Sequence, residues 1–282
     1  MFNFLFPIIS ILGEALGNTF DKINFNKTKL KAQNQMFLVF LIMAFGSSLT
    51  FIFGGNKIPQ FSLMLIFLII SIVLISFFQN IFQFHGISKK DLQTREPIIS
   101  LQPIITVVIA YIIFPSEREI KYILAIILSV LVLYFFKFRG NLKISFDKGI
   151  LQIFLGVFTA SILANLYKFT LGIVSPEFLT ICRTIGILIM LILFKQVVLN
   201  KSNFNTKQIK YGFLAGFFYF IGALANLYSI KELGLTFTIL LLFLGPVFVF
   251  LFSFFILKEK VEIKNIISSI IILFIVIITI YL

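Results

Sequence analysis

SLQPIITVVIAYIIFPSE, residues 100–117, carries the architecture, because the chain repeats its plan as FLGPVFVFLFSFFILKE at residues 243–259. Each copy sets a proline inside an apolar run and closes on a glutamate before a charged turn and another apolar run. Pro103 and Pro246 lie 143 residues apart, and Glu117 and Glu259 lie 142 apart. At the same offset Gln83 falls on Asn226 and His85 on Tyr228, each near the end of the preceding run.

Ten apolar runs surround these copies, at residues 2–19, 36–53, 61–84, 92–114, 120–138, 149–169, 177–199, 209–230, 233–257 and 262–282. Each approaches the roughly 20 residues that an α-helix needs to cross a bilayer core. A segment in lipid must satisfy its own backbone, so the many isoleucines and phenylalanines belong to helices here rather than strands. The predicted fold is therefore an all-α integral membrane protein of ten transmembrane helices. An internal repeat of five helices, an odd number, enters the membrane in opposite directions. This predicts two inverted repeats, residues 1–140 and 141–282, with a site where the halves meet.

Composition agrees. The chain is 60% hydrophobic and 12% charged, against about 25% charged in a soluble domain. Its net charge of +13 is scattered in short clusters between apolar runs, which is topology-setting loop charge and not a nucleic-acid face. Of 24 Lys and Arg, 18 fall on the side holding the loops after the odd-numbered runs, which predicts that side as cytoplasmic and both termini as external. No basic residue precedes Lys22, so the first run is read as a retained helix and not a cleaved signal. A single cysteine, Cys182, and a single histidine, His85, leave no disulfide framework and no multi-histidine metal site. No phosphate-binding G-x-x-x-x-G-K-[ST] loop is present, so no cofactor or nucleotide is expected. An intramembrane enzyme would want paired aspartates or a Ser–His couple in the spans. Asp21, Asp91 and Asp147 all read as loop residues, so the chain is read as no enzyme.

The candidate chemistry starts at Glu14, inside IISILGEALGNTFDK (residues 8–22). An ionisable group at membrane depth is costly and marks a functional site by default. Candidate substrate- and proton-binding residues are Glu14, Asn18, Asn80, Arg95, Glu96, Asn165 and Asn226. Arg95 and Glu96 could turn inward to pair with Glu14 or hold an anionic group, or lie at the membrane surface beside Pro97. Asn residues in membrane helices often serve only as interhelical hydrogen bonds. Arg183, six residues into its run, reads as reaching back to the interface. Pro103 and Pro246 read as paired mid-helix kinks that shape a cavity.

With these residues in view, the chain resembles the drug/metabolite transporter superfamily, and within it the ten-helix EamA-type transporters. Glu14, Gly17, Thr19 and Lys22 match E-x-x-G-x-T-x-x-K, which is similar to the first helix of the small multidrug resistance transporters. In those, the matching glutamate binds either protons or a hydrophobic cation. Two departures stand out: there is no tryptophan, and Ala160 lies near the place of Glu14 in the second half. The resemblance implies a secondary transporter of the plasma membrane, a monomer or homodimer, exchanging a small organic solute against protons by alternating access. The alternative is an uncoupled facilitator of amino acids or sugar derivatives in which Glu14 is structural.

Overall fold

In the computed structural model the residues described are 2–89, 98–99, 101–138, 148–194, 204–258 and 263–281. Among them every regular element is helical. The first half holds α1 (Leu5–Thr28), α2 (Ala32–Phe53), α3 (Leu63–Lys89), α4 (Gln102–Ile113) and α5 (Ile120–Phe138). The second holds α6 (Lys148–Thr170), α7 (Pro176–Leu193), α8 (Thr206–Leu233), the consecutive pair α9 (Leu235–Leu242) and α10 (Gly245–Phe252), and α11 (Ile263–Tyr281). By length and hydropathy six are able to cross a membrane: α2, α3, α6 from Gly149, α7, α8, and α9–α10 taken through to Leu257. Shorter apolar helices lie at Gln102–Ile113, Ile120–Val132 and Ile266–Tyr281.

The outer surface explains why such a chain needs lipid. Phe53, Leu63, Phe67, Ile112, Leu193 and Phe255 all stand outward with two thirds or more of their surface uncovered, Leu63 reaching 88%. A water-soluble monomer rarely tolerates an apolar surface of that extent. Inside, two buried clusters hold the helices. One gathers Val107, Ile126, Leu179, Leu227 and Leu240, and the other Met36, Phe40, Phe77, Ile187 and Ala215.

Two expectations change. The first helix does not stop near Thr19. It runs to Thr28, because no glycine or proline breaks residues 18–28, and it ends on Lys29 in the left-handed conformation (φ 53°). Asp21 and Lys22, read as loop residues, are therefore helical and buried. The paired prolines are not kinks in continuous helices either. Pro103 is the second residue of α4, after a turn at Leu101, and Pro246 is the second residue of α10, after a break at Phe243–Leu244. Proline lacks the N–H that a first helical turn leaves unpaired, so it fits where a helix restarts. In each copy a helix thus begins one residue before the proline.

Close approach at the centre depends on two glycines. A Cβ on Gly13 of α1 would lie 2.7 Å from the Cα of Gly222 in α8, so the two backbones are nearly in contact. Among the described residues, α1 and α8 form the most extensive packing pair, followed by α3 with α6.

Candidate functional site

The residues around this crossing line a cavity of about 180 Å³. Helix α1 contributes Ser10 and Glu14, α3 contributes Gln79, Asn80 and Gln83, and α4 contributes Gln102. Tyr167 enters from α6, Arg183 from α7, and Tyr219 and Asn226 from α8. A second cavity of about 110 Å³ adjoins it and shares Glu14, Ile99 and Gln102. Its other walls include Asn18, Pro103 and Pro246. Glu14 therefore faces both spaces, and its residue surface is exposed into them rather than packed away.

Of the sequence-derived candidates, Glu14, Asn80 and Asn226 meet in the larger cavity, and Glu14 and Asn18 in the smaller one. Asn80 is held by its own helix, donating to the Ser76 carbonyl at 2.7 Å and to Gln79 Oε1 at 2.9 Å. Asn165 is placed elsewhere. It donates to the carbonyls of Thr106 (3.2 Å) and Ser161 (2.9 Å), tying α6 to α4, and does not line either cavity. Arg95 and Glu96 lie outside the described residues. His85 closes the end of α3, its Nδ1 2.7 Å from the Ile81 carbonyl and its Nε2 3.1 Å from Gln33 Nε2.

Arg183 departs from its expected place at the interface. Helix α7 begins at Pro176, so Arg183 stands seven residues in, about 10 Å along the axis. There its guanidinium lies 5.7 Å from the ring centre of Tyr167 and 6.0 Å from that of Phe40. Both are cation–π distances. The sequence signal was a single arginine in an otherwise apolar run, outweighed by its nearness to the helix start.

Below the cavity, the C-terminal part of α1 builds a polar knot. Asp21, fully buried, accepts from Gln35 Nε2 at 2.6 Å and from the Tyr219 hydroxyl at 2.9 Å. The same hydroxyl lies 2.9 Å from Asn18 Oδ1. Asn24 donates to Gln35 Oε1 (2.7 Å) and to the Gln208 carbonyl (3.0 Å). Lys22 donates to the Ile87 carbonyl at 3.3 Å. Tyr219 thus joins α1 to α8 between cavity and knot.

A second charged group lies where α4 ends. Glu117, in the turn Pro115–Glu117, accepts the backbone N–H groups of Leu235 (3.0 Å) and Thr236 (2.7 Å) and pairs with Lys168 at 2.9 Å. Burial raises the Glu117 carboxyl, but these donors and the Lys168 charge outweigh it and hold the carboxyl below its usual range. Glu177, at the start of α7, accepts from the Tyr228 hydroxyl of α8. Among the described residues no group of three or more His, Cys, Asp or Glu side chains gathers to hold a metal ion.

Residues 147–281 match the EamA-like transporter family. A solved crystal structure of a protein 12% identical superimposes with a TM-score of 0.65 over 96% of both chains, a likeness of fold. No curated protein matches the chain.

Proposed function

We propose, on the match of residues 147–281 to the EamA-like transporter family, that the protein exchanges a small organic metabolite for protons by alternating access. The observation that carries this is the position of Glu14. It is the carboxylate shared by two adjoining cavities, next to the Gly13–Gly222 crossing and across from both helix-restarting prolines. A proton and a substrate that compete for one carboxylate cannot occupy it together, and that competition is what makes exchange obligatory. The larger cavity, at about 180 Å³, lies below the range of roughly 300–1,000 Å³ that suits drug-sized ligands. This favours a metabolite over a multidrug substrate.

The packing pattern supports two inverted five-helix halves in ten spans. Counting α9–α10 as one span, α1 against α8 corresponds to α6 against α3, and α2 against α8 to α7 against α3. Likewise α1 against α10 corresponds to α6 against α4, while α2 with α7 and α5 with α11 are their own counterparts. Interrupted helices at the repeat interface are the usual surroundings of a transporter's central site.

The test is proton release from the purified, detergent-held protein as amino acids, sugars and organic cations are added singly, comparing wild type with Glu14→Gln. Solute-dependent release that disappears in Glu14→Gln is the expected result. Transport by both proteins at equal rates in proteoliposomes, without proton movement, would replace antiport with uncoupled facilitation, in which Glu14 is structural.

A further inference from the structure

We infer that α9 is a hinged gate at the end of the molecule where α1 begins, latched shut by Glu117 and Lys168. This rests on the transporter reading above and names the element that opens. Helix α9 is eight residues long, Leu235–Leu242, and is interrupted at both ends. Gly234 precedes it at φ +87° and ψ 164°, and the break at Phe243–Leu244 follows, before α10 starts at Gly245. A short rod between two such joints swings as a unit when a few backbone angles change at either one. Its ends lie where a swing has consequences. Its last residue, Leu242, lines the smaller cavity together with Glu14, and its first, Leu235, donates to Glu117.

The latch is polar, and it crosses from one half of the chain to the other. Glu117 lies in residues 1–140, whereas the groups its carboxylate meets lie in residues 141–282: the N–H of Leu235 (3.0 Å), the N–H of Thr236 (2.7 Å) and the Lys168 ammonium (2.9 Å). The Thr236 hydroxyl adds a bond to the Glu117 carbonyl oxygen at 3.3 Å. The side chains of Glu117 and Lys168 are 5% and 24% exposed. Desolvation offsets much of the Coulomb gain of such a pair, so it is weak evidence of stability and a better two-state contact. Closed, every charge has a partner; fully parted, both charges recover water. A half-open state that strands one of them in the protein is costly, which makes the opening abrupt. The rim around the latch is aromatic and also crosses between the halves. Phe237 of α9 packs on Phe4 and Tyr122, with ring centres 5.8 and 5.1 Å apart. Such rings separate without stranding a buried hydrogen bond. Lys168 directly follows Tyr167, a wall of the larger cavity, so the latch sits one residue from the space it would open.

The experiment reads the gate without any solute. In a Cys182→Ser background, Thr238→Cys puts a thiol on α9, and Ala215→Cys puts one on α8 in the other buried cluster; both positions have no exposed surface. The full-length, detergent-held protein is treated with a water-soluble maleimide, and both thiols should react slowly. Adding Glu117→Gln should speed the reaction of Thr238→Cys by roughly tenfold or more, as the open population rises, and leave that of Ala215→Cys unchanged. Lys168→Gln removes the ion pair and keeps the carboxylate on the start of α9. It should speed the same thiol by a smaller factor, and it carries the test if Glu117→Gln fails to fold. No acceleration at Thr238→Cys in a folded variant would make Glu117 a fixed brace, and equal acceleration at both thiols would be general loosening; either result overturns the gate. Counterflow in proteoliposomes reads transport separately. Latch-dependent labelling without flux of any solute would keep the gate and remove the transporter reading. Flux with labelling that ignores the latch would do the opposite.

Discussion

Asp21 shows how a single side chain can be misplaced by its neighbours in sequence. It precedes Lys22, Lys27, Lys29 and Lys31, a pattern that reads as a solvated loop, yet it is fully buried on α1. Its oxygens accept from Gln35 Nε2 and from the Tyr219 hydroxyl, and that hydroxyl also has Asn18 Oδ1 within reach. Asp21→Ala should therefore destabilise the protein by about 1–3 kcal/mol for the stranded Gln35 donor, read as a lowered thermal midpoint. Tyr219→Phe removes a donor instead of stranding one and should cost less, about 0.5–1.5 kcal/mol. Because Asp21 and Tyr219 share a hydrogen bond, Asp21→Ala should cost less in the Tyr219→Phe background than in wild type, and simple additivity would argue against the knot. Glu14 was legible because one carboxylate in an apolar run has no bland place to go. Arg183 was not, because chain distance from a helix end cannot tell a side chain that reaches the interface from one that turns into the cavity. Gln79, Tyr167 and Tyr219 carried no signal of their own, and only the fold gathers them.

The turn after α4 teaches the same lesson for a whole helix. Glu117 stood out as half of a repeated pair, but its work is done 118 residues later, on the N-terminus of α9. A helix start exposes unpaired N–H groups and partial positive charge, and a carboxylate satisfies both. Glu117→Gln should lower the stability at neutral pH by about 0.5–2 kcal/mol, the usual range for losing a cap. Its pH dependence has a defined sign. The folded-state carboxyl is held below its ordinary value of 4.5, so the unfolded chain binds the proton more readily. The contribution is complete above that value and disappears as the pH falls through the depressed one. Midpoints measured from pH 7 downward should thus fall more steeply below pH 4.5 in wild type than in Glu117→Gln; parallel curves would remove Glu117 from the account. Gly234 completes the cap at φ +87° and ψ 164°, a conformation that L side chains avoid, and a Cβ there would sit 3.2 Å from Glu117 Oε1. Gly234→Ala should cost about 1–3 kcal/mol in the same assay.

The all-helical, membrane-spanning class was the most legible part, because long apolar runs are properties of long stretches that local errors do not erase. The α1–α8 crossing was not legible, since a glycine in a membrane helix announces only that something comes close, not what. The structure pairs Gly13 with Gly222, beside Glu14 and across the boundary between the halves. If alternating access rocks one half against the other about this contact, spacing there should control transport more than stability. The two glycines differ in a way that makes the idea testable. A Cβ on Gly13 would meet the Gly222 backbone and the Phe218 carbonyl oxygen at 2.7 Å, which main chain cannot yield without moving a helix. A Cβ on Gly222 would meet Glu14 N and the Ser10 carbonyl oxygen at 3.1 Å, which a shift of a few tenths of an ångström relieves. Gly13→Ala should therefore reduce proteoliposome counterflow by roughly tenfold or more, the scale on which about 1 Å of misplacement acts at a working site. Gly222→Ala should reduce it less, and both proteins should elute as single species in detergent. A ranking in the reverse order, or two variants that exchange solute at the wild-type rate, would show that the halves do not move about this crossing.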